Sequence, residues 1–128
     1  AFIHALYRNV LYARVSLGHR VGLHLRTGEL LEHSYGRQSG EIAGELAMHF
    51  EHGRDFQRAV EYRRQAGEHA LRRHGYREAA EHATRGLESL KRQPDSQERT
   101  QQELALQIML GSALTALRGH PAPEVEQA

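Results

Sequence analysis

The sequence of 128 residues has no cysteine and no tryptophan, and its three prolines are confined to positions 94, 121 and 123. Without cysteine the chain forms no disulfide and has neither a thiolate metal ligand nor a cysteine nucleophile, so we expect a cytoplasmic protein. No apolar run approaches the roughly 20 residues of a membrane-spanning helix. No signal peptide opens the chain either. We therefore expect no membrane partner.

A strong charge of one sign is also missing, because 17 basic residues stand against 16 acidic ones. A chain this close to neutrality has little non-specific attraction to nucleic acid. Glutamates are interleaved with the central arginines, and several pairs fall at spacings of three or four residues, which predicts a solvated, ion-paired helix face. Those arginines are Arg58, Arg63, Arg64, Arg72, Arg73, Arg77 and Arg85. We therefore expect no direct contact with nucleic acid.

Strand-forming residues are scarce, whereas alanine, leucine, glutamate, arginine and glutamine are abundant and favour helix. Apolar residues at helical spacing predict seven helices joined by short loops, and therefore an all-α fold. The predicted helices cover 2–15, 17 to a break at 35–40, 41–52, 55–74, 76–90, 96–118, and a last segment beginning at Pro121.

Some residues predict where these helices begin and how closely they pack. A side-chain oxygen before a helix can accept from its first free backbone amides. The predicted N-caps are Ser39, Asp55 and either Asp95 or Ser96. Gly22 and Gly28 each cost a helix about 1 kcal/mol relative to alanine. If the second helix continues through them, close packing is the expected reason. The 96–118 helix is apolar on more than one side, so we expect it to have neighbours on two faces.

The stretch from residue 53 to 90 contains two similar copies of one sequence pattern. Gly53-Arg-Asp-Phe56-Gln-Arg-Ala59 returns in altered form as His74-Gly75-Tyr76-Arg-Glu-Ala79, and the step from Phe56 to Tyr76 is 20 residues. In both copies a small residue, Ala66 or Gly86, follows the alanine after seven positions. Small residues at helical spacing let neighbouring helices approach closely, which predicts a stack of antiparallel helix pairs.

This stretch resembles a tetratricopeptide repeat, whose pattern has a small residue, aromatics three and nine positions on, and alanines twelve and nineteen on. The residues at those offsets are Ala47, Phe50, Phe56, Ala59 and Ala66, and a second set in the same frame is Gly67, Ala70, Tyr76, Ala79 and Gly86. The 20-residue step departs from the family's 34, so the helix over 55–74 would serve two hairpins. The resemblance implies a tetratricopeptide-like α-solenoid over 36–128, incomplete at its C-terminus.

The whole chain resembles the region after the ATPase module in bacterial signal-transduction ATPases of the STAND type. The residues that carry this resemblance are Phe2-Ile3-His4-Ala5-Leu6-Tyr7-Arg8-x-x-Leu11-Tyr12, Arg20-x-x-x-His24, Glu41-x-Ala43-x-Glu45-Leu46-Ala47-x-His49-Phe50 and Gln102-Glu103-Leu104-x-Leu106-Gln107. Those proteins join a P-loop ATPase to a winged-helix segment and then to tetratricopeptide-like repeats. Many are transcriptional regulators or are fused to cyclase or kinase domains. The resemblance implies that residues 1–35 end a winged-helix-like region. It implies that a longer parent protein binds ATP or ADP and Mg²⁺, and that this segment itself holds no cofactor.

His4 is the residue to which this resemblance gives a role in nucleotide sensing. Phe2-x-His4-x-Leu6 is similar to the family motif whose histidine reaches the diphosphate of bound ADP and holds the switch closed. An imidazole suits that role because it donates a hydrogen bond to phosphate oxygen and can carry charge near neutral pH. The alternative is that His4 only caps or packs the first helix.

The ten histidines raise the question of a metal site. His49 and His52 lie three positions apart on one predicted helix, a spacing that can bring two imidazoles together. A zinc site needs three or four ligands, and the sequence indicates no third one. The other histidines look scattered along polar faces, so we expect no metal site.

Motifs of catalysis are absent as well, since the chain has no nucleophile-elbow pattern and no glycine-rich phosphate loop. We therefore expect no enzyme activity. The chain begins without methionine and stops at Gln127-Ala128 within a predicted helix, so we expect an excerpt whose uncovered apolar faces pack on neighbouring repeats. The expected function is a non-catalytic, protein-binding segment that links a nucleotide switch to a helical repeat array. The alternatives are a self-contained peptide-binding solenoid and a part of a DNA-binding transcriptional regulator.

Overall fold

The computed structural model describes residues 17–119. Over this range the chain forms five α-helices and one 3-10 helix, and it contains no strand. The elements are α1 (Leu17–Tyr35), the 3-10 helix (Gly36–Ile42), α2 (Ala43–His52), α3 (Phe56–Arg72), α4 (Tyr76–Leu90) and α5 (Gln97–Gly119). The all-α prediction is therefore confirmed for these residues. The predicted helices over 2–15 and from Pro121 lie outside the described residues.

Each helix packs mainly against the helix before it and the helix after it, so the order in space follows the order in sequence. The core between α2 and α3 is built around Phe50, whose ring stacks on Tyr62 with centroids 5.8 Å apart. A second buried cluster joins α3, α4 and α5 through Val60, Leu90 and Leu106. The predicted division after residue 35 falls at the end of α1, and α1 itself packs on α2.

The turns after α2 and α3 are built from the same backbone hydrogen bonds. The amide of Asp55 donates to the Phe50 carbonyl at 2.9 Å, and the amide of Gly75 donates to the Ala70 carbonyl at 2.8 Å. Both donors and both acceptors are 20 positions apart, which is the step between the two copies in the sequence. The sequence repeat is therefore a repeat of backbone structure.

The residue that reverses the chain in each turn is not a glycine. Arg54 has a φ of 62° and His74 a φ of 65°, whereas Gly53 and Gly75 have φ values of −80° and −84°. The glycine of each copy therefore lies beside the reversal and not at it. Because a side chain in the left-handed region costs about 1–2 kcal/mol, both turns store some strain.

Two predicted N-caps are confirmed and one is wrong. Asp55 accepts from the Arg58 amide at 3.2 Å, and Ser96 accepts from the Arg99 amide at 3.0 Å. Ser39 caps no helix, because the 3-10 helix continues through it and α2 begins only at Ala43. The Ser39 hydroxyl instead interacts with the phenol of Tyr62.

Glycines inside the helices receive large side chains from neighbouring helices. A Cβ at Gly28 would lie 3.0 Å from Phe50 Cε1, and one at Gly86 would lie 3.1 Å from Leu106 Cδ1. Gly67 faces the Met109 sulfur in the same way. The helix does continue through Gly28, and close packing is the reason. Gly22 differs, since a Cβ there would meet nothing within 4 Å.

Polar contacts also tie α1 to α3, its second neighbour. The Tyr62 hydroxyl donates to Glu32, and the Arg58 guanidinium lies 3.5 Å from carboxylate oxygens of both Glu29 and Glu32. Burial, and then the hydrogen bond to the Glu32 carboxylate, raise the pKa of Tyr62 to about 12. The phenol therefore stays protonated and remains the donor of this contact.

Candidate functional site

The residues predicted to make the repeat contacts fall into two groups. The small residues and one aromatic are buried, and these are Ala47, Phe50, Ala59, Ala66, Ala79 and Gly86. Phe56 and Tyr76 are only partly buried, and each begins its helix. The guanidinium of Arg92 lies over the Phe56 ring at 5.5 Å, and the Tyr76 hydroxyl lies 2.8 Å from His74 Nδ1. His4 lies outside the described residues.

The solvent-exposed side of α5 carries the clearest candidate surface. Its buried side faces α3 and α4 through Leu106, Met109 and Ala113. Four other large apolar residues of the same helix are exposed, namely Leu104 at 58%, Ile108 at 60%, Leu114 at 43% and Leu117 at 39%. Together with Gly111 they recur every three or four residues, the spacing of a helix stripe. We call these five residues the outer face of α5.

The prediction that α5 has neighbours on two faces is met on one face only. Its residues are apolar on more than one side as predicted, but among the described residues no helix covers the outer face. Gly111 lies in the middle of this face, and a Cβ there would meet nothing within 4 Å. Ile108 and Leu114, three positions to either side, flank it. No side chain occupies the space above Gly111, in contrast to the space above the buried glycines.

A groove runs along the seam between α4 and α5 and continues into the outer face. It has a volume of about 560 Å³, and its apolar floor includes Leu110 and Leu114. Its charged rim consists of Glu81, Arg85 and Glu88, with Arg85 Nε 3.4 Å from the Glu81 carboxylate. Since the rim carries charges of both signs, its attraction for a polyanion is weak.

A buried polar cluster joins α2, α3 and α4, and its centre is Arg63. The Arg63 side chain is 7% exposed and donates to both oxygens of Glu51, at 2.8 and 2.7 Å. Its Nη1 lies 2.9 Å from Nδ1 of His82. Because a guanidinium only donates, that imidazole nitrogen accepts. Burial, and then the charge of Arg63, lower the pKa of His82.

This cluster corrects two expectations from the sequence. The solvated, ion-paired face is found for Arg64, which bridges Glu61 and Glu68, but Arg63 was wrongly assigned to it. Helical spacing does separate the two arginines. The residues three and four positions from Arg63 are alanine, valine or glycine and are buried, whereas those of Arg64 include Glu61 and Glu68. His82 likewise does not lie on a polar face, since its side chain is only 14% exposed.

The described part of the chain contains neither a membrane-spanning helix nor an assembled metal site. None of its helices is both long and apolar enough to cross a bilayer. Among residues 17–119, no three or more histidine, aspartate or glutamate side chains are already arranged to hold a metal ion. Comparisons of the chain with models of protein families, with curated proteins and with solved structures find no match. The resemblance to signal-transduction ATPases therefore stays a prediction from the sequence.

Proposed function

We propose that this chain is a non-catalytic protein-interaction segment whose outer α5 face binds an amphipathic helix of a protein partner. The observation that carries the proposal is an exposed apolar stripe with an unfilled glycine at its centre. In this proposal the helices form a tetratricopeptide-like array in the cytoplasm. The partner helix takes the position that a further helix of the array would have.

The packing inside the chain supports a helix as the occupant. Gly28, Gly67 and Gly86 each receive a large apolar or thioether side chain from a neighbouring helix. Gly111 is exposed, has apolar residues three positions to either side, and would have no side chain within 4 Å of a Cβ. Gly22 is also open, but its neighbours at helical spacing include His19 and Arg26, so it lacks an apolar rim. The partner helix should therefore place a large apolar side chain against Gly111, as in helix-in-groove recognition.

The dimensions of the face fit this mode of binding. α5 has 23 residues, which corresponds to a length of about 35 Å. The exposed apolar residues occupy the stretch from Leu104 to Leu117, so several turns of a partner helix can lie against it. The mixed charges of the adjoining rim favour recognition by apolar contact over attraction to nucleic acid.

The proposed function includes coupling to a nucleotide switch. The support for this part is the resemblance of the whole chain to the STAND ATPases, in which such a segment follows the ATPase module. In that setting the nucleotide state would change how residues 1–35 pack against the repeats. Titration of ADP into the intact parent protein and its His4→Ala variant tests this part. Unchanged ADP affinity and exchange in the variant would remove it.

Binding at the outer face can be tested by selecting amphipathic helices against the chain from a displayed peptide library. We expect selected helices to lose affinity about thirtyfold with Ile108→Asp, the effect of removing a hot-spot contact of about 2 kcal/mol. Leu30→Asp is the matched control, because Leu30 on α1 is 61% exposed and Ile108 is 60% exposed. Gly111→Leu should also block binding, because its side chain takes the space proposed for the partner's side chain. The same substitution replaces a glycine that weakens the helix, so it should not destabilise α5.

The two variants separate loss of binding from loss of folding. Both positions are exposed, so neither substitution should lower the melting temperature appreciably. If helices selected on this chain bind the Ile108→Asp and Gly111→Leu variants as tightly as the original, the outer face of α5 is not the binding surface.

A further inference from the structure

Three histidines meet where α1 crosses α2. Nδ1 of His24 lies 3.1 Å from Nδ1 of His49, and the ring centroid of His24 lies 4.9 Å from that of His52. The sequence indicates the pair on α2 but not the third imidazole, which comes from a position 25 residues earlier than His49.

We propose that His24, His49 and His52 form a binding site for a divalent transition-metal ion such as Zn²⁺. Imidazole nitrogen is the commonest protein ligand for these ions. Three histidines leave the fourth position of a tetrahedral ion to water. The missing third ligand was the reason for expecting no metal site, and the fold brings a third imidazole next to the pair on α2.

The distance between the first two ligands suits a shared ion. Two nitrogens bound to one tetrahedral Zn²⁺ lie about 3.3 Å apart, since each Zn–N bond is about 2.05 Å. The observed separation of His24 Nδ1 and His49 Nδ1 is 3.1 Å. In a hydrogen bond between these nitrogens one of them carries a proton. Binding of the ion requires the donor ring to take the tautomer with its proton on Nε2, so that both Nδ1 lone pairs face the metal.

The helix crossing holds the histidines in place. Gly53 follows His52 directly, and a Cβ at Gly53 would lie 2.9 Å from both Cα and N of Leu25, the residue after His24. The two backbones therefore touch beside the cluster, which fixes the separation of α1 and α2. His49 and His52 also lie in the last turn of α2, where the helix dipole favours a cation.

One ligand has to move for the site to form. The imidazoles of His24 and His52 are tilted by 31° and lie side by side, and the three donor sets are not yet arranged around one point. His52 is exposed on the surface of α2, so its ring can turn without displacing packed side chains. The ion supplies the driving force for this rotation.

Titration with Co²⁺ tests the site directly, because tetrahedral Co²⁺ with nitrogen ligands gives intense visible absorption. We expect one ion per chain and a rise in melting temperature that depends on Co²⁺ concentration. His24→Ala, His49→Ala and His52→Ala should each weaken binding by more than the roughly tenfold typical of losing a supporting outer-shell group. The His24→Gln variant keeps a polar side chain of similar length and should lose binding equally.

His69→Ala is the matched control. His69 lies 20 positions after His49, in the last turn of α3, and no second histidine ring contacts it in the described part of the chain. Its loss should leave Co²⁺ affinity unchanged. The proposal is overturned if the original chain binds no Co²⁺. It is also overturned if folded His24→Ala and His24→Gln variants bind like the original, because the α2 pair alone would then explain the affinity.

Discussion

Replacing Gly53 with alanine tests how closely α1 approaches the end of α2. The new Cβ would lie 2.9 Å from both Cα and N of Leu25 and 3.0 Å from the carbonyl oxygen of His49. All three atoms belong to the backbone, so no side-chain rotation can relieve the contact. The φ of Gly53 is −80°, which alanine adopts readily, and the effect is therefore steric.

The expected magnitude follows from overpacking. Forcing extra atoms into a closely packed contact costs typically about 1–3 kcal/mol. For a chain of this size a loss of about 2 kcal/mol lowers the melting temperature by roughly 8–10 °C. Since α1 has to move away from α2, His24 also moves away from His49 and His52. Gly53→Ala should therefore weaken Co²⁺ binding without removing any ligand.

Urea denaturation followed by circular dichroism measures the change in the free energy of unfolding. Gly22→Ala is the control, since a Cβ at that glycine of α1 would meet nothing within 4 Å. It should stabilise the chain by up to about 1 kcal/mol through helix propensity. If Gly53→Ala is as stable as the original chain, or if both variants change stability in the same direction, the close approach of the two backbones is wrong.

Three further substitutions, one of them with a control variant, probe the turns and the core. Ala79→Glu buries an unpaired carboxylate and should cost about 3 kcal/mol or more, whereas Thr84→Glu on the exposed side of α4 should cost little. Near-original melting of the first variant would show that the assigned inner face is wrong. Arg54→Gly should stabilise the chain by up to about 1 kcal/mol, because glycine adopts the left-handed conformation freely. A loss of stability in urea denaturation would contradict that. The lowered pKa of His82, which faces Arg63, Arg73, Glu78 and Glu81, makes its contribution to stability complete above its unfolded-state pKa of about 6.5. That contribution is lost as the pH falls through the lower folded-state pKa, so the free energy of unfolding should fall on acidification below about pH 6.5. His82→Gln should reduce that fall. An unchanged pH dependence in this variant would rule out His82 as its source.

Much of the helical structure could be predicted because its signals are local. Asp55 and Ser96 cap the helices that follow them, and α4 spans the predicted residues. The start of α2 was missed because a serine before a helix can serve either as a cap or as part of a 3-10 helix. Contacts with Tyr62 decide that choice for Ser39, and they are not visible in local sequence.

The candidate sites could be predicted only in part. The second apolar side of α5 is visible in the sequence, but its exposure depends on which helices pack around it. The pair His49 and His52 follows from helical spacing. His24 joins them only because Gly53 lets α1 approach α2 closely, and spacing along one helix carries no information about a crossing between two. The same limit applies to the partners of Arg63, which lie on α2 and α4.

The most direct test of the proposed binding surface uses thiol labelling, because the chain has no cysteine of its own. Single cysteines at Ile108 and Leu30, which have nearly equal exposure, are labelled in the free chain and with a bound amphipathic helix. We predict that both react rapidly in the free chain and that the bound helix protects only Ile108→Cys. Unchanged labelling at position 108 with the helix bound, or equal protection at position 30, would contradict the proposal.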